Sequence, residues 1–284
     1  MKWIKTAFIL IALNIFSTVN VQAQPLNNTE NVQKNDFTYA DFVDLILASP
    51  IVASVDIVRA TKLSQKLTPD LPEGESRFFV EAKVVTLIRG AEGLANDITY
   101  LVDTKDDERG HPQRIKEKTQ YLIFGQPVAG HPEQVVLTRP YANLIWTEND
   151  EATAASITRD ILSNTPAPQI TAITGAFYVP GSLPGESESQ IFLQTASRQP
   201  ISLNILRRPQ EKPQWAVALG EMTDEEATPP APHSFLWYRL ACGLPKAMPQ
   251  AVLSTLSGHD MLAVAEDYKV VLGGLGPCLR NHHL

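Results

Sequence analysis

Residues 77–90, RFFVEAKVVTLIRG, decide how the rest of the chain is read. The even positions carry Phe78, Val80, Ala82, Val84 and Ile88. The odd positions carry Arg77, Glu81, Lys83 and Arg89, with Phe79, Val85 and Leu87 among them. Side chains alternate across a strand, so the even set forms one apolar face. The odd face is polar at both ends and apolar in the middle. The pattern predicts a long central strand, covered on one side and partly covered on the other.

The flanking segments extend this reading. Residues 51–63 start with apolar odd positions, Ile51, Ala53, Val55 and Ile57, and then slip phase to Val58 and Ala60. A one-residue slip is what a β-bulge produces, and bulges bend long strands. Residues 66–75 have the Pro and Gly content of a hairpin loop, and residues 90–96 read as a turn. Ile98, Tyr100 and Val102 mark a third strand by alternation, residues 119–125 (TQYLIFG) a buried fourth, and residues 133–138 a fifth. Upstream, residues 38–48 form a short helix capped by Thr38, with Asp41 completing a weak capping box and Pro50 ending it. Antiparallel strands curling into a partly closed barrel are the economical arrangement.

Beyond the barrel, residues 148–163 read as a helix with acids at its N-terminal end, and residues 164–168 as a linker. Residues 170–179 read as a strand, followed by a meander over 190–195, 201–205 and 215–219 with hairpin-length connections. The aromatic run 235–241 reads as a further strand. Asp260 is placed at the start of a helix carrying Met261, Val264, Tyr268, Val271 and Leu275, which Gly273 and Gly274 would end. The expected fold class is therefore α+β and β-rich. An N-terminal OB-like antiparallel barrel is joined by a helix to a second domain with a β-meander and a C-terminal helix. The expected divisions are a signal peptide at 1–23, a flexible leader at 24–36 and the barrel at 37–147. A connecting helix and linker follow at 148–166, then an α+β domain at 167–284.

The signal peptide rests on three features. Lys2 and Lys5 give a basic start, AFILIALNIF (7–16) is apolar, and Val21-Gln22-Ala23 offers small residues for cleavage after Ala23. A spanning helix needs about 20 apolar residues, and this run is interrupted at Asn14. The expectation is a periplasmic or secreted protein with no stable membrane insertion after cleavage. Cleavage would take away two lysines and no acids, so 24 basic against 31 acidic residues becomes 22 against 31, and the net charge moves from −7 to −9. Such a balance, with no basic stripe, argues against nucleic acid as a partner. In an oxidising compartment the two cysteines, Cys242 and Cys278, are expected to pair. The bridge closes a loop of about 37 residues and stabilises by roughly 3–4 kcal/mol on the chain-entropy model.

The search for chemistry finds little. There is no G-x-S-x-G elbow and no Gly-rich phosphate loop. Ser257-Gly258-His259-Asp260 assembles triad residue types as neighbours, whereas triad members meet in space; a helix start is the simpler reading. His111 lies near Asp103, Asp106, Asp107 and Glu108, a set suited to a hard or borderline cation. The cations Lys105, Arg109, Arg114, Lys116 and Lys118 favour a solvated loop there instead. Gly110-His111-Pro112 and Gly130-His131-Pro132 read as turns, and His282-His283 as a frayed end. Glu221, Asp224, Glu225 and Glu226 lack the spacing of a calcium loop. Trp215 and Trp237 suit either a sugar or peptide platform or core packing, with packing favoured. No cofactor and no metal site is expected.

Two resemblances arise from these residues. The strand pair at 51–63 and 77–89, the Ile88-Arg89-Gly90 exit and Tyr121-Leu122-Ile123-Phe124 resemble the OB-like barrel of netrin-like modules. That family carries cysteines here, which this chain lacks, and a helix between the third and fourth strands, where this chain has the charged stretch 103–118. Thr38-Tyr39-Ala40-Asp41, Tyr100-Leu101-Val102-Asp103, the stretch 185–193 (GESESQIFL), Arg207-Arg208-Pro209, 237–242 (WYRLAC) and Gly276-Pro277-Cys278 resemble an uncharacterised family of exported bacterial proteins. That resemblance implies export and paired cysteines and carries no activity. The expectation is a non-catalytic binding or envelope-associated protein whose partner is a protein or a small molecule. The alternative is a periplasmic hydrolase with its site in a cleft between the two domains.

Overall fold

In the computed structural model, residues 36–220 and 228–282 are described. The expected signal peptide, the expected leader up to residue 35, the acidic residues 221–226 and His283 lie outside them. Helix α1 (Tyr39–Ala48) starts on a reciprocal capping box: the Asp41 N–H donates to Thr38 Oγ1 at 3.2 Å and the Thr38 N–H to Asp41 Oδ2 at 2.8 Å. Strand β1 (Ile51–Lys62) follows and pairs antiparallel with β2 (Glu75–Arg89). Their register shifts between Ile57 and Arg59, so Val58 is the bulged residue and points into solvent, as the phase slip requires.

Strands β3 (Asp97–Lys105), β4 (Gln120–Val128), β5 (His131–Leu137) and a short β6 (Asn143–Ile145) complete the sheet. Its order is β1-β2-β3-β5-β4-β6, and β1 also pairs with β4, which closes a five-stranded barrel. All pairings are antiparallel except β3 with β5. No helix stands between β3 and β4, only the charged loop. The barrel interior is filled by the even residues of β2 (Phe78, Val80, Ala82) against Ile98, Tyr100, Val102, Ile123 and Val135.

Helix α2 (Glu148–Ile161), capped by Thr147, leads to a four-stranded antiparallel meander: β7 (Ile170–Pro180), β8 (Ser187–Thr195), β9 (Ile201–Arg207) and β10 (Gln214–Ala218). Residues 235–241 are a helix rather than a strand. Helix α3 (Phe235–Ala241) is capped by Ser234, whose Oγ accepts the Trp237 N–H at 3.1 Å. The aromatic content suggests a strand, but the cap and the i,i+3 pairs Phe235–Tyr238 and Trp237–Leu240 suit a helix, whose four buried side chains are covered by α1, α2 and α5 together. After the single turn α4 (Gln250–Leu253), helix α5 (Gly258–Leu275) starts on Ser257. It runs through Gly273 and Gly274 and stops at Gly276, whose φ of 71° is a left-handed value. Gly274 is needed inside the helix because a Cβ there would lie 2.5 Å from Trp215 Nε1.

Cys242 and Cys278 stand at disulfide distance, Sγ–Sγ 2.07 Å, joining the end of α3 to the chain after α5. The last residues then return to α1. Arg280 Nε donates to Asp44 Oδ2 at 2.5 Å, Tyr238 donates to Asp44 Oδ1 at 2.5 Å, and the Asn281 and His282 N–H groups donate to Asp41 at 3.1 Å each. His282 stacks on Phe37 with centroids 4.1 Å apart, so this end is anchored, not frayed. Burial would raise the Asp41 pKa, but its donors from Thr38, Asn281 and His282 outweigh that and hold it below the usual carboxylate range. Desolvation and the bond to Asp44 push Tyr238 up to about 12, so it stays a donor.

Residues 35–284 form one compact unit. Its larger core joins α1, the outward residues Val52, Leu122 and Phe124 of β1 and β4, helix α2, the meander and helices α3–α5. The barrel is therefore packed on its β1/β4 side, and its β2/β3/β5 side faces outward.

Candidate functional site

On the outward side, register places Arg77 opposite Asp103, Phe79 opposite Leu101 and Glu81 opposite Thr99. Strands β3 and β5 are bridged at one pair, Thr99 with Gln134. Counting on in parallel puts Val136 beside Leu101. Phe79, Leu101 and Val136 thus form an apolar row across three strands, and each is more than a third exposed: 38%, 46% and 58%. The cover over this face of β2 is partial, as expected: Leu87 is 39% exposed and Val85, the most open, 52%.

The row lies in a groove of about 590 Å³ that continues along Leu137, Thr138, Arg139 and Pro140. Strand order explains the groove. Strand β5 pairs with β4 from Val135 to Leu137, over Gly125, where a Cβ would sit 2.4 Å from Val135 Cγ1. Strand β5 pairs with β4 on its other edge both before and after Gln134, at His131 and from Val135 to Leu137. The parallel ladder with β3 stops after Gln134, and the β3 and β5 edges beyond it have no partner strand among the described residues.

Two arginines line the groove and differ in their bonding. Arg77 grips Asp103 with Nε (2.6 Å) and Nη2 (2.8 Å) and reaches Asp70 with Nη1 at 3.0 Å. The Asp103 hydrogen bond foremost holds its pKa above the ordinary arginine value. Arg139 donates through Nη1 to the Thr138 carbonyl at 3.3 Å, and its buried Nε has no partner. Buried donors without partners are uncommon, and Ser54 Oγ and Thr158 Oγ1 are the other two among the described residues.

The other candidates resolve differently. Ser257 Oγ donates to Asp260 Oδ2 at 2.6 Å, while the exposed His259 lies 3.5 Å from Asp260 Oδ1; the serine proton is directed at the carboxylate and the imidazole does not receive it. In the charged loop Asp103 is held by Arg77, Asp106 accepts from Ser76 at 2.6 Å, and Asp107 accepts the Arg109 and His111 N–H groups at 2.8 Å. Among the described residues no cluster of three His, Cys, Asp or Glu side chains suits a metal ion. Trp215 packs against the larger core, and Trp237 is buried with Nε1 donating to the Leu275 carbonyl at 2.7 Å. The buried Asp267 accepts from Ser189 and Arg207, both at 2.5 Å, which ties α5 to the meander.

No protein-family model matches this sequence, and no curated protein matches it. The groove therefore stands on its geometry. Its one trace in the sequence is the set of apolar residues on the polar face of β2, Phe79 above all.

Proposed function

We propose that this chain is an exported, non-catalytic binding protein that holds an extended segment of another protein in the groove between β3 and β5. The observation that carries the reading is the apolar row Phe79, Leu101 and Val136 lying beside two strand edges that stop pairing after Thr99 and Gln134. An extended segment supplies what both features lack. Its backbone satisfies the open edges, and alternate side chains cover the apolar row, which is how strand addition divides affinity and selectivity. A groove of about 590 Å³ takes a few side chains of such a segment. Export is supported by the basic-apolar-small order of residues 1–23 and by the cysteine pair at disulfide distance. No described helix is long and apolar enough to cross a membrane.

The test is photo-crosslinking in envelope extracts of the source cells, with a photoreactive residue placed at Leu101, at Val136 or at the equally exposed Val58 on the barrel's other side. A discrete adduct from Leu101 and Val136 and none from Val58 is the expected result. Equal adducts from all three positions, or none, would sink the reading.

A further inference from the structure

The meander buries one face and leaves the other open. Ile191, Leu193, Leu203, Ile205 and Val217 belong to the larger core, on the side where Ser189 meets Asp267 of α5. Register sets the opposite face. One row crosses all four strands: Phe177 on β7, Gln190 on β8, Asn204 on β9 and Ala216 on β10. The next row is Gly175, Phe192, Ser202 and Ala218. Phe177 is 41% exposed and Phe192 38%, and their ring centroids lie 5.7 Å apart. The amides beside them are held in place through one hydroxyl. Gln190 Nε2 donates to Ser202 Oγ at 3.1 Å, and Ser202 Oγ donates to Asn204 Oδ1 at 3.3 Å. Gln190 Oε1 is left as an acceptor and Asn204 Nδ2 as a donor, neither with a partner among the described residues. On the far side of Asn204 a recess of about 650 Å³ lies between Leu206, Ala216, Thr228 and Pro229.

We propose that this face binds an uncharged glycan chain laid across the strands. A sugar ring has an apolar face of C–H groups and a rim of hydroxyls that both donate and accept. The phenylalanine pair takes the first, and the free atoms of Gln190 and Asn204 take the second. From Phe177 to Ala216 the row covers three strand spacings, roughly 14 Å, which is room for a short run of rings. Charge points the same way. Residues 175–179, 188–192, 202–206 and 214–218 hold one charged side chain, Glu188, in a chain with 24 basic and 31 acidic residues. An anionic polymer finds no cation here. A strand of another protein adds to a sheet edge, which a sheet face does not offer. A second copy packed face to face would desolvate the same amides and Glu188 on both sides, whereas hydroxyls satisfy them.

The experiment is native electrophoresis of the secreted protein through gels that contain a soluble β-glucan, a dextran or a mannan, with polygalacturonate as the charged comparison. The expected result is retardation by at least one uncharged polymer and none by polygalacturonate. Phe177→Ala and Phe192→Ala should each weaken that binding about tenfold, which is about 1.4 kcal/mol. Asn204→Ala should weaken it about threefold, the loss of one hydrogen bond. Phe192→Trp should keep it, and so should Leu101→Asp, because Leu101 lies on the barrel and not on this sheet. Retardation kept in Leu101→Asp separates this face from the barrel groove, so either reading can fail without the other. Thermal unfolding midpoints of the variants keep a folding defect from being read as lost binding. No retardation in any of the uncharged polymers would overturn the proposal. So would equal retardation by polygalacturonate, or retardation unchanged in both phenylalanine variants. A dimer in sedimentation that Phe192→Glu dissociates would overturn it too, by showing that a second copy occupies the face.

Discussion

Strands β1 and β4 send Val52, Leu122 and Phe124 out of the barrel, and strands β2, β3 and β5 send out Phe79, Leu101 and Val136. By residue type the two sets are alike. The first set is fully buried in the larger core, under α1, α2 and the helices of the second half; the second set faces solvent. The arginines differ in the same way: Arg77 is gripped by two carboxylates, while Arg139 has one weak carbonyl contact and an unpaired Nε. A barrel wall is thus made structural or available by what packs behind it, not by its composition.

The contrast is most exposed to failure at its phenylalanines. Phe124→Ala should cost about 3–5 kcal/mol, because the ring is enclosed and packs near Phe42, whereas Phe79→Ala should stay within about 1 kcal/mol in denaturant unfolding. Similar losses at both would show that the outward wall is covered. Replacing Cys242 and Cys278 together by Ser should cost about 3 kcal/mol, measured the same way under oxidising conditions. The arginines come next. Arg77→Gln leaves Asp103 without its main partner and should cost about 1–2 kcal/mol, while Arg139→Gln should leave the unfolding midpoint unchanged or slightly raised. A large loss at Arg139 would mean that it already has a structural partner.

The smallest effect is in acid. The Asp41 carboxyl is held low by the donors that join the chain end to α1. Its folded pKa lies below its unfolded one, so its contribution is present above about pH 4 and is lost as the pH falls through the folded value. The stability difference between wild type and Asp41→Asn should therefore shrink below about pH 4. A difference that grows instead would reverse the assignment.

Much of the fold was legible in local pattern. The alternation at 77–90, the phase slip at Val58, the Thr38–Asp41 capping box and the meander spacing each have a local physical cause, and each is found where that cause puts it. What failed locally failed for tertiary reasons. Residues 235–241 look like a strand because aromatics suit strands, yet the Ser234 cap and burial against α1, α2 and α5 make them a helix. Gly273 and Gly274 look like a stop, but Gly274 is the clearance that lets α5 lie on Trp215. His282 looks like a loose end until Phe37 and Asp41 are brought beneath it from the other end of the chain.

The groove shows the same division. The residues that line it, Phe79, Leu101, Val136 and Arg139, are ordinary strand residues in sequence, and only Phe79 on a polar face hints at anything else. By itself the sequence determined the strands, their faces, the caps and the spacing of the cysteines, because these follow from periodicity and from short-range hydrogen bonds. Only the tertiary structure decided which apolar face is buried and which is open, and which arginine finds a carboxylate. Those depend on strand order, on the β3–β5 ladder stopping after one pair, and on the second half covering one wall of the barrel and not the other.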